Sequence, residues 1–253
     1  MNLSLQKKTL LYASDKASKI LTHYFDKKPK IKEKSNMSFV TEADLKANGA
    51  IIREIKKSFP EHSIISEETP EEKNNSDFTW VIDPLDETHN FIHGIPVFGT
   101  SIALKHKKEI VLGAIYMPAL GIKLTCEKGK GTFVNGKKVS VSKNSLIHHS
   151  FVLFELSFDG RSRKLKAFGR MVNERFDIRN LGCAVYHLYL VAAGLADVYI
   201  AYHSNEWDVA AGFLAVEEAG GRITNTKGKK AYSDSGNYIF SNSAIHKNFM
   251  KFV

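Results

Sequence analysis

Asp83-Pro84-Leu85-Asp86-Glu87-Thr88-His89-Asn90-Phe91 follows directly on the run from Thr79 to Ile82, which reads as a short apolar strand. Two carboxylates are therefore predicted just past a strand end, three residues apart, with Pro84 fixing the chain direction between them. Magnesium prefers a few oxygen ligands and retains water. A two-metal site further needs one carboxylate able to bridge, with others around it. Asp83 suits the bridging position, and the Leu85 carbonyl adds a neutral oxygen. Taken alone, the segment fits a strand-to-turn junction equally well, because Asp and Pro are turn formers.

Working outward, His62 to Ser66 is a second β-branched run, so Glu67-Glu68 is predicted at a neighbouring strand end, where α/β folds open their ligand crevices. Glu71 and Glu72 follow closely, and a solvated acidic loop remains an alternative there. Upstream, apolar residues at Leu3, Leu10, Ala17, Leu21 and Tyr24 predict a helix over 3–25. Thr41-Glu42-Ala43-Asp44 opens a second helix that ends near Phe59-Pro60, and Thr41 with Asp44 has the spacing of a capping box.

Downstream, a hairpin is predicted over 98–104 and 110–116, then strands over 122–126 and 139–141. Beyond residues 140–150 strands (151–156, 198–201, 239–241) alternate with helices (164–173, 183–193, 208–219), the pattern of an α/β layer. The division expected is a half over 1–145 carrying most candidate ligands and a half over 146–253 carrying Asp208.

Composition sets the frame. With 43% hydrophobic and 25% charged residues, the 253-residue chain can bury a sizeable core. Net charge is +9, which attracts anionic ligands. The densest basic run, Lys27, Lys28, Lys30, Lys32 and Lys34, has no interleaved aromatics and reads as a solvated loop rather than a nucleic-acid face. Cys126 and Cys183 lack metal-ligand spacing. The first residues lack the apolar core of a secretory signal and no apolar run is long enough to span a bilayer, so a cytoplasmic protein without membrane association is expected.

These segments together resemble the inositol monophosphatase family over most of the chain. The family string D-P-[IL]-D-G-T-x-N-F stands here as residues 83–91, and W-D-x-A-A-G as Trp207-Asp208-Val209-Ala210-Ala211-Gly212, followed by Glu218-Ala219-Gly220-Gly221. Supporting stretches are Val40 to Asp44, Ser66-Glu67-Glu68, Gly131 to Gly136 and Gly182-Cys183-Ala184.

The resemblance implies an α+β fold, a layered αβαβα sandwich of the inositol monophosphatase and fructose-1,6-bisphosphatase type. It implies hydrolysis of a small phosphate monoester by a metal-activated water, with two or three Mg²⁺ ions, or Mn²⁺ in their place. It also implies a homodimer. Glu67, Asp83 and the Leu85 carbonyl match ligands of a first metal, and Asp83, Asp86 and Asp208 those of a second. A third ion would lie near Glu67. Asp44 and Thr88 match the pair that positions and deprotonates water. Residues 87–88, Gly182, Cys183, Ala184, Ala201 and Asp208 fall where phosphate and substrate would bind.

Two departures from the pattern stand out. Glu87 replaces the family glycine at a helix N-terminus, where backbone N–H groups receive phosphate. At an effective dielectric of about 20, its charge would repel another about 6 Å away by roughly 3 kcal/mol. Ala201, seven residues before Asp208, stands where relatives acting on inositol phosphates carry an acid for sugar hydroxyls. Glu206 resembles the branch that acts on 3′(2′),5′-bisphosphate nucleotides. A reading of another class is an attenuated phosphatase scaffold that binds RNA or a protein complex.

Overall fold

The computed structural model describes residues 2–253 except 26, 28–29, 34–38 and 156–160, and the side chains of 161–163 are also left aside. Lys28, Lys34 and Leu156 therefore lie outside the described residues. Helix α1 (Ser4–Phe25) is followed by a two-stranded ribbon, β1 (Ile31–Glu33) with β2 (Phe39–Thr41), and by α2 (Glu42–Ser58). Then come β3 (Ser63–Ser66), β4 (Thr69–Glu72), β5 (Phe78–Asp86), the one-turn helix α3 (Thr88–Ile92), β6 (Gly99–His106) and β7 (Glu109–Met117). Next are β8 (Ile122–Glu127), β9 (Gly131–Val134), β10 (Lys137–Val139), β11 (Phe151–Phe154), α4 (Arg161–Asn173) and β12 (Asp177–Arg179). The chain closes with α5 (Ala184–Ala192), β13 (Val198–Ser204), α6 (Glu206–Glu218), β14 (Gly221–Asn225), β15 (Gly236–Asn242) and α7 (His246–Phe249).

The larger sheet runs β10-β9-β8-β7-β6-β5-β3-β4 and the smaller one β12-β11-β13-β15-β14. Strand alternation sorts the side chains into layers. Trp80 and Ile82 of β5 pack with Leu10, Leu21, Ile51 and Ile55 of α1 and α2 on one face. Val81 turns the other way, joining Leu188 of α5, Leu214 of α6, and Leu153 and Tyr199 of the second sheet. Beyond that sheet, Val152, Ile200 and Ile239 meet Met171 of α4 and Phe249 of α7. The result is the five-layer αβαβα order, with α5 and α6 between the sheets.

The same alternation places Asp83 on the Val81 face, toward α5 and α6. Contrary to the expectation that Asp83 lies past the strand end, β5 continues through Pro84 to Asp86. Proline is tolerated in this interior strand because pairing with β3 stops at Ile82 and the register with β6 shifts between Asp83 and Asp86. That bulge lets both carboxylates face one side of the sheet edge. Likewise α6 begins at Glu206, so Asp208 is its third residue rather than its first. The strands missed by sequence reading are short; β4 contains Pro70 and lies at the sheet edge, where proline costs no ladder bond. Among the described residues no helix is long and apolar enough to cross a membrane.

Helices α5 and α6 approach closely at Gly212: a Cβ there would lie 2.3 Å from Leu188 Cδ1 and 2.7 Å from its Cγ. Leu188 is itself fully buried and cannot swing aside. Gly212→Ala is expected to destabilise the protein by about 1–3 kcal/mol through overpacking, read as a lower urea midpoint at unchanged slope.

Candidate active site

Three helix N-termini converge on the end of β5, and each holds a carboxylate. Asp44 closes the capping box of α2: its Oδ2 accepts from the Thr41 backbone N–H at 2.8 Å and from the Thr41 hydroxyl at 2.5 Å. Its other oxygen, Oδ1, accepts from the Thr88 hydroxyl at 3.0 Å. Asp86 sits at the N-terminus of α5, with its Oδ2 accepting from the Val185 N–H at 2.8 Å and from the Cys183 thiol at 2.9 Å. Asp208, in the first turn of α6, accepts from the Asn205 N–H at 2.6 Å. Capping and metal binding are compatible for Asp208, whose capping bond uses Oδ2, while Asp44 combines its capping bonds on Oδ2 with the Thr88 contact on Oδ1. The positive ends of the helix dipoles favour all three charges.

Asp83 is only 1% exposed and accepts from the Leu85 N–H at 3.0 Å. Burial pushes its carboxyl well above the usual range, and the charges of Glu67, Asp86 and Asp208 push further. Burial also raises Asp208, helped by Asp86 and Glu67, and carries Asp86 up to about 6. Glu67 follows β3, its N–H donating to the Ile82 carbonyl at 3.2 Å, so β3 and β5 deliver their acids side by side. The Leu85 side chain is buried in the first core layer, while its carbonyl receives a long contact from the Thr88 hydroxyl at 3.5 Å. Asp83, Asp86 and Asp208 thus all feel the charge of Glu67. Among the described residues, however, no three metal-binding side chains are drawn tightly onto one point. The donor set, all oxygen and partly desolvated, fits a hard divalent cation.

The facing wall is the loop before α5. Gly182 takes φ +80°, and its N–H donates to Asn180 Oδ1 at 3.0 Å. Cys183 is the N-cap of α5 and Ala184 its first residue. His187 anchors this loop by accepting the Leu181 N–H on Nε2 at 3.1 Å; burial lowers its pKa to about 3, so the ring is neutral. Asn90 reaches the same loop, donating to the carbonyls of Val97 (2.8 Å) and Leu181 (3.3 Å). Phe91, two-thirds of the way along α3, packs on Phe25 and Phe98 with ring centroids 5.6 and 4.9 Å away, fixing the turn against α1.

Glu87 is the residue out of pattern, and its backbone carries the difference. It caps α3 in the left-handed region at φ 67°, ψ 61°. Non-glycine residues pay roughly 1–2 kcal/mol there. Its carboxyl lies against Gly182, 3.3 Å from where a Cβ would stand. Burial, with help from Asp86 and Glu155, pushes it up to about 8. Glu87 therefore keeps the backbone shape expected of glycine while filling the space beside the loop.

Sequence reading did not single out Glu155, Tyr199, Lys164 or His187. Ala201 is fully buried in β13 and offers no polar side-chain atom. Beside it, just past β11, stands Glu155, which accepts from the Tyr199 hydroxyl at 3.0 Å. Burial raises its carboxyl, opposed by Tyr199 and the charge of Lys164. In the sequence Glu155 is one charged residue inside the apolar run 151–156, which predicts a strand and carries no further signal. Glu206, by contrast, is paired with Lys105.

The model of the inositol monophosphatase family matches residues 6–252 of the chain. A fructose-1,6-bisphosphatase/inositol-1-monophosphatase of Thermotoga maritima is 40% identical over 220 residues, covering 85% of this chain and 82% of that protein. A protein of Pseudomonas aeruginosa named Nus factor SuhB is 33% identical over 225 residues, covering 86% and 83%. Among solved structures, the extragenic suppressor protein suhB of Bartonella henselae superposes with a TM-score of 0.94 at 31% identity, covering 98% of both chains.

Two tests bear on Glu87. Glu87→Gly is expected to be about 1 kcal/mol more stable than Glu87→Ala in urea titrations, because only glycine is free of the left-handed penalty. A carboxyl raised to about 8 holds its proton in the folded chain after the unfolded chain has lost it, so it lowers stability as pH rises from about 4.5 to about 8. In EDTA, the stability gained by Glu87→Gln should grow across that window; a pH-independent difference counts against the burial of this carboxyl.

Proposed function

The chain belongs to the inositol monophosphatase family, and from that premise we propose that it is a magnesium-dependent phosphatase hydrolysing a small phosphate monoester. The observation that carries this is the set of buried carboxyls Asp83, Asp86 and Asp208, raised by burial and by the charge of Glu67 among others, beside the hydrogen-bonded pair Thr88–Asp44. Glu67, Asp83 and the Leu85 carbonyl would hold one Mg²⁺, and Asp83, Asp86 and Asp208 a second. When bound, such ions acidify water and offset charge on the phosphate and the leaving oxygen.

The protein's own part is positioning and proton transfer. Thr88 gives its proton to Asp44 Oδ1 and keeps lone pairs with which to accept one from an attacking water. Burial raises the Asp44 carboxyl, which makes it a stronger base than an exposed aspartate. The backbone N–H groups at residues 87–88 would receive the phosphate, with Cys183 and Ala184 beside Asp86 at the start of α5 lining the same site. The water oxygen bonds to phosphorus as the ester P–O bond breaks, and the leaving oxygen takes a proton from a solvent water and departs as the alcohol. The substrate is a phosphorylated alcohol or sugar; Glu206, occupied by Lys105, lends no support to the nucleotide branch.

A second reading has its own observation. Relatives named Nus factor SuhB share a third of their residues with this chain, and Glu87 fills the phosphate side of the cleft. A binding or regulatory role, with RNA or a protein complex as partner, would be independent of the carboxylates. Phosphate release from a panel of phosphate esters is expected to require Mg²⁺ and to fall at least about 100-fold in Asp86→Asn. Release that is absent from the parent protein, or indifferent to this substitution, rejects the enzymatic reading.

A further inference from the structure

Ala201 leaves the cleft without an acid at the position where the family pattern supplies one. The parallel register of β11 with β13 shows what stands beside it. Val152, Leu153 and Phe154 lie opposite Val198, Tyr199 and Ile200, and the Glu155 N–H donates to the Ile200 carbonyl. Glu155 is therefore the lateral neighbour of Ala201. Leu153, Tyr199 and Ala201 all face α5 and α6, whereas Val152, Phe154 and Ile200 face α4 and α7. Alternation puts the Glu155 side chain on the α5–α6 face, the face that Asp83 and Asp86 also look toward.

Three further observations fit a carboxylate held ready for a ligand. Glu155 is partly open to solvent, unlike Ala201. Its Oε2 is oriented by the Tyr199 hydroxyl, and the Tyr199 ring in turn packs at a tilt against His187, the anchor of the Gly182 loop, with ring centroids 4.8 Å apart. Its charge is felt by Glu87 and Asp208 and it feels that of Asp86, so it borders the same cleft. Lys164, 1% exposed, supplies compensating positive charge from α4.

We propose that Glu155 is a specificity-determining residue: its carboxylate accepts a hydroxyl of the alcohol part of the substrate, from the strand beside Ala201. The ligand class is a phosphate carrying free hydroxyls near the phosphorylated carbon. The catalytic consequence of this rests on the phosphatase reading; the recognition itself does not.

The two parts separate experimentally. In Mg²⁺, 2,3-dihydroxypropylphosphonate and propylphosphonate bind without turnover, because their C–P bonds resist hydrolysis. Calorimetry on the parent protein is expected to show about a tenfold preference for the dihydroxy compound, the effect of one hydrogen bond to a charged acceptor. Glu155→Gln should bring that preference close to one. Glu155→Asp keeps the charge opposite Lys164 while withdrawing it by one methylene, and should do the same should the glutamine variant fail to fold. The ratio of kcat/KM for glycerol 1-phosphate over propyl phosphate should fall in parallel. No preference in the parent protein, a preference retained in folded variants, or equal weakening of both phosphonates overturns the proposal. A preference that depends on Glu155 in a protein releasing no phosphate upholds it and rejects the phosphatase reading alone.

Discussion

Burying several carboxylates within reach of one another is costly, because each loses hydration and each repels the others. In this protein the cost is met by three helix N-termini aimed at one place. The first turns of α2, α5 and α6 donate backbone N–H groups to or beside Asp44, Asp86 and Asp208, and their dipoles add favourable field. Asp83, on the strand between them, accepts the Leu85 N–H and among the described residues has no helix N-terminus of its own. That arrangement explains why helices with few other features in common begin where they do.

The layered fold is the means of that convergence. β5 sits inside the larger sheet, with α1 and α2 behind it and α5 and α6 in front. α2 reaches the end of β5 from one side, while α5 and α6 reach it from the other. Packing is tight enough at Gly212 and Gly113 that neither front helix can shift far from the sheet: a Cβ on Gly113 would come within 3.2 Å of the Ala211 backbone. The core between the sheets therefore sets the spacing of the acids as firmly as their own hydrogen bonds do.

Family membership explains the cluster but not its two local departures. Glu87 keeps a left-handed backbone that suits glycine and lays its carboxyl on Gly182. Ala201 removes one acid, and the next strand supplies Glu155 beside it. One change adds a carboxyl against the Gly182 loop, and the other leaves Glu155 as the carboxyl beside that position on the next strand. Both lie beside Asp83, Asp86 and Asp208 and leave those carboxylates in place.

The residue string from Asp83 to Phe91, with Glu67, Asp44 and Asp208, determined the family and the kind of chemistry, since carboxylates at strand ends and helix starts are local features. The long amphipathic helices and apolar strands were equally legible, because their periodicity is written along the chain. Short strands such as β12 and β14 were not, for their stability comes from neighbouring strands rather than from their own three to five residues. The bulge that carries β5 past Pro84 and the left-handed turn at Glu87 depend on pairing and packing that no single segment encodes. Glu155 shows the limit most plainly: in the sequence it is one charged residue in a strand. Its neighbours Ala201, Tyr199 and Lys164 are distant in the chain, and only the parallel register of β11 on β13 brings them to the cleft.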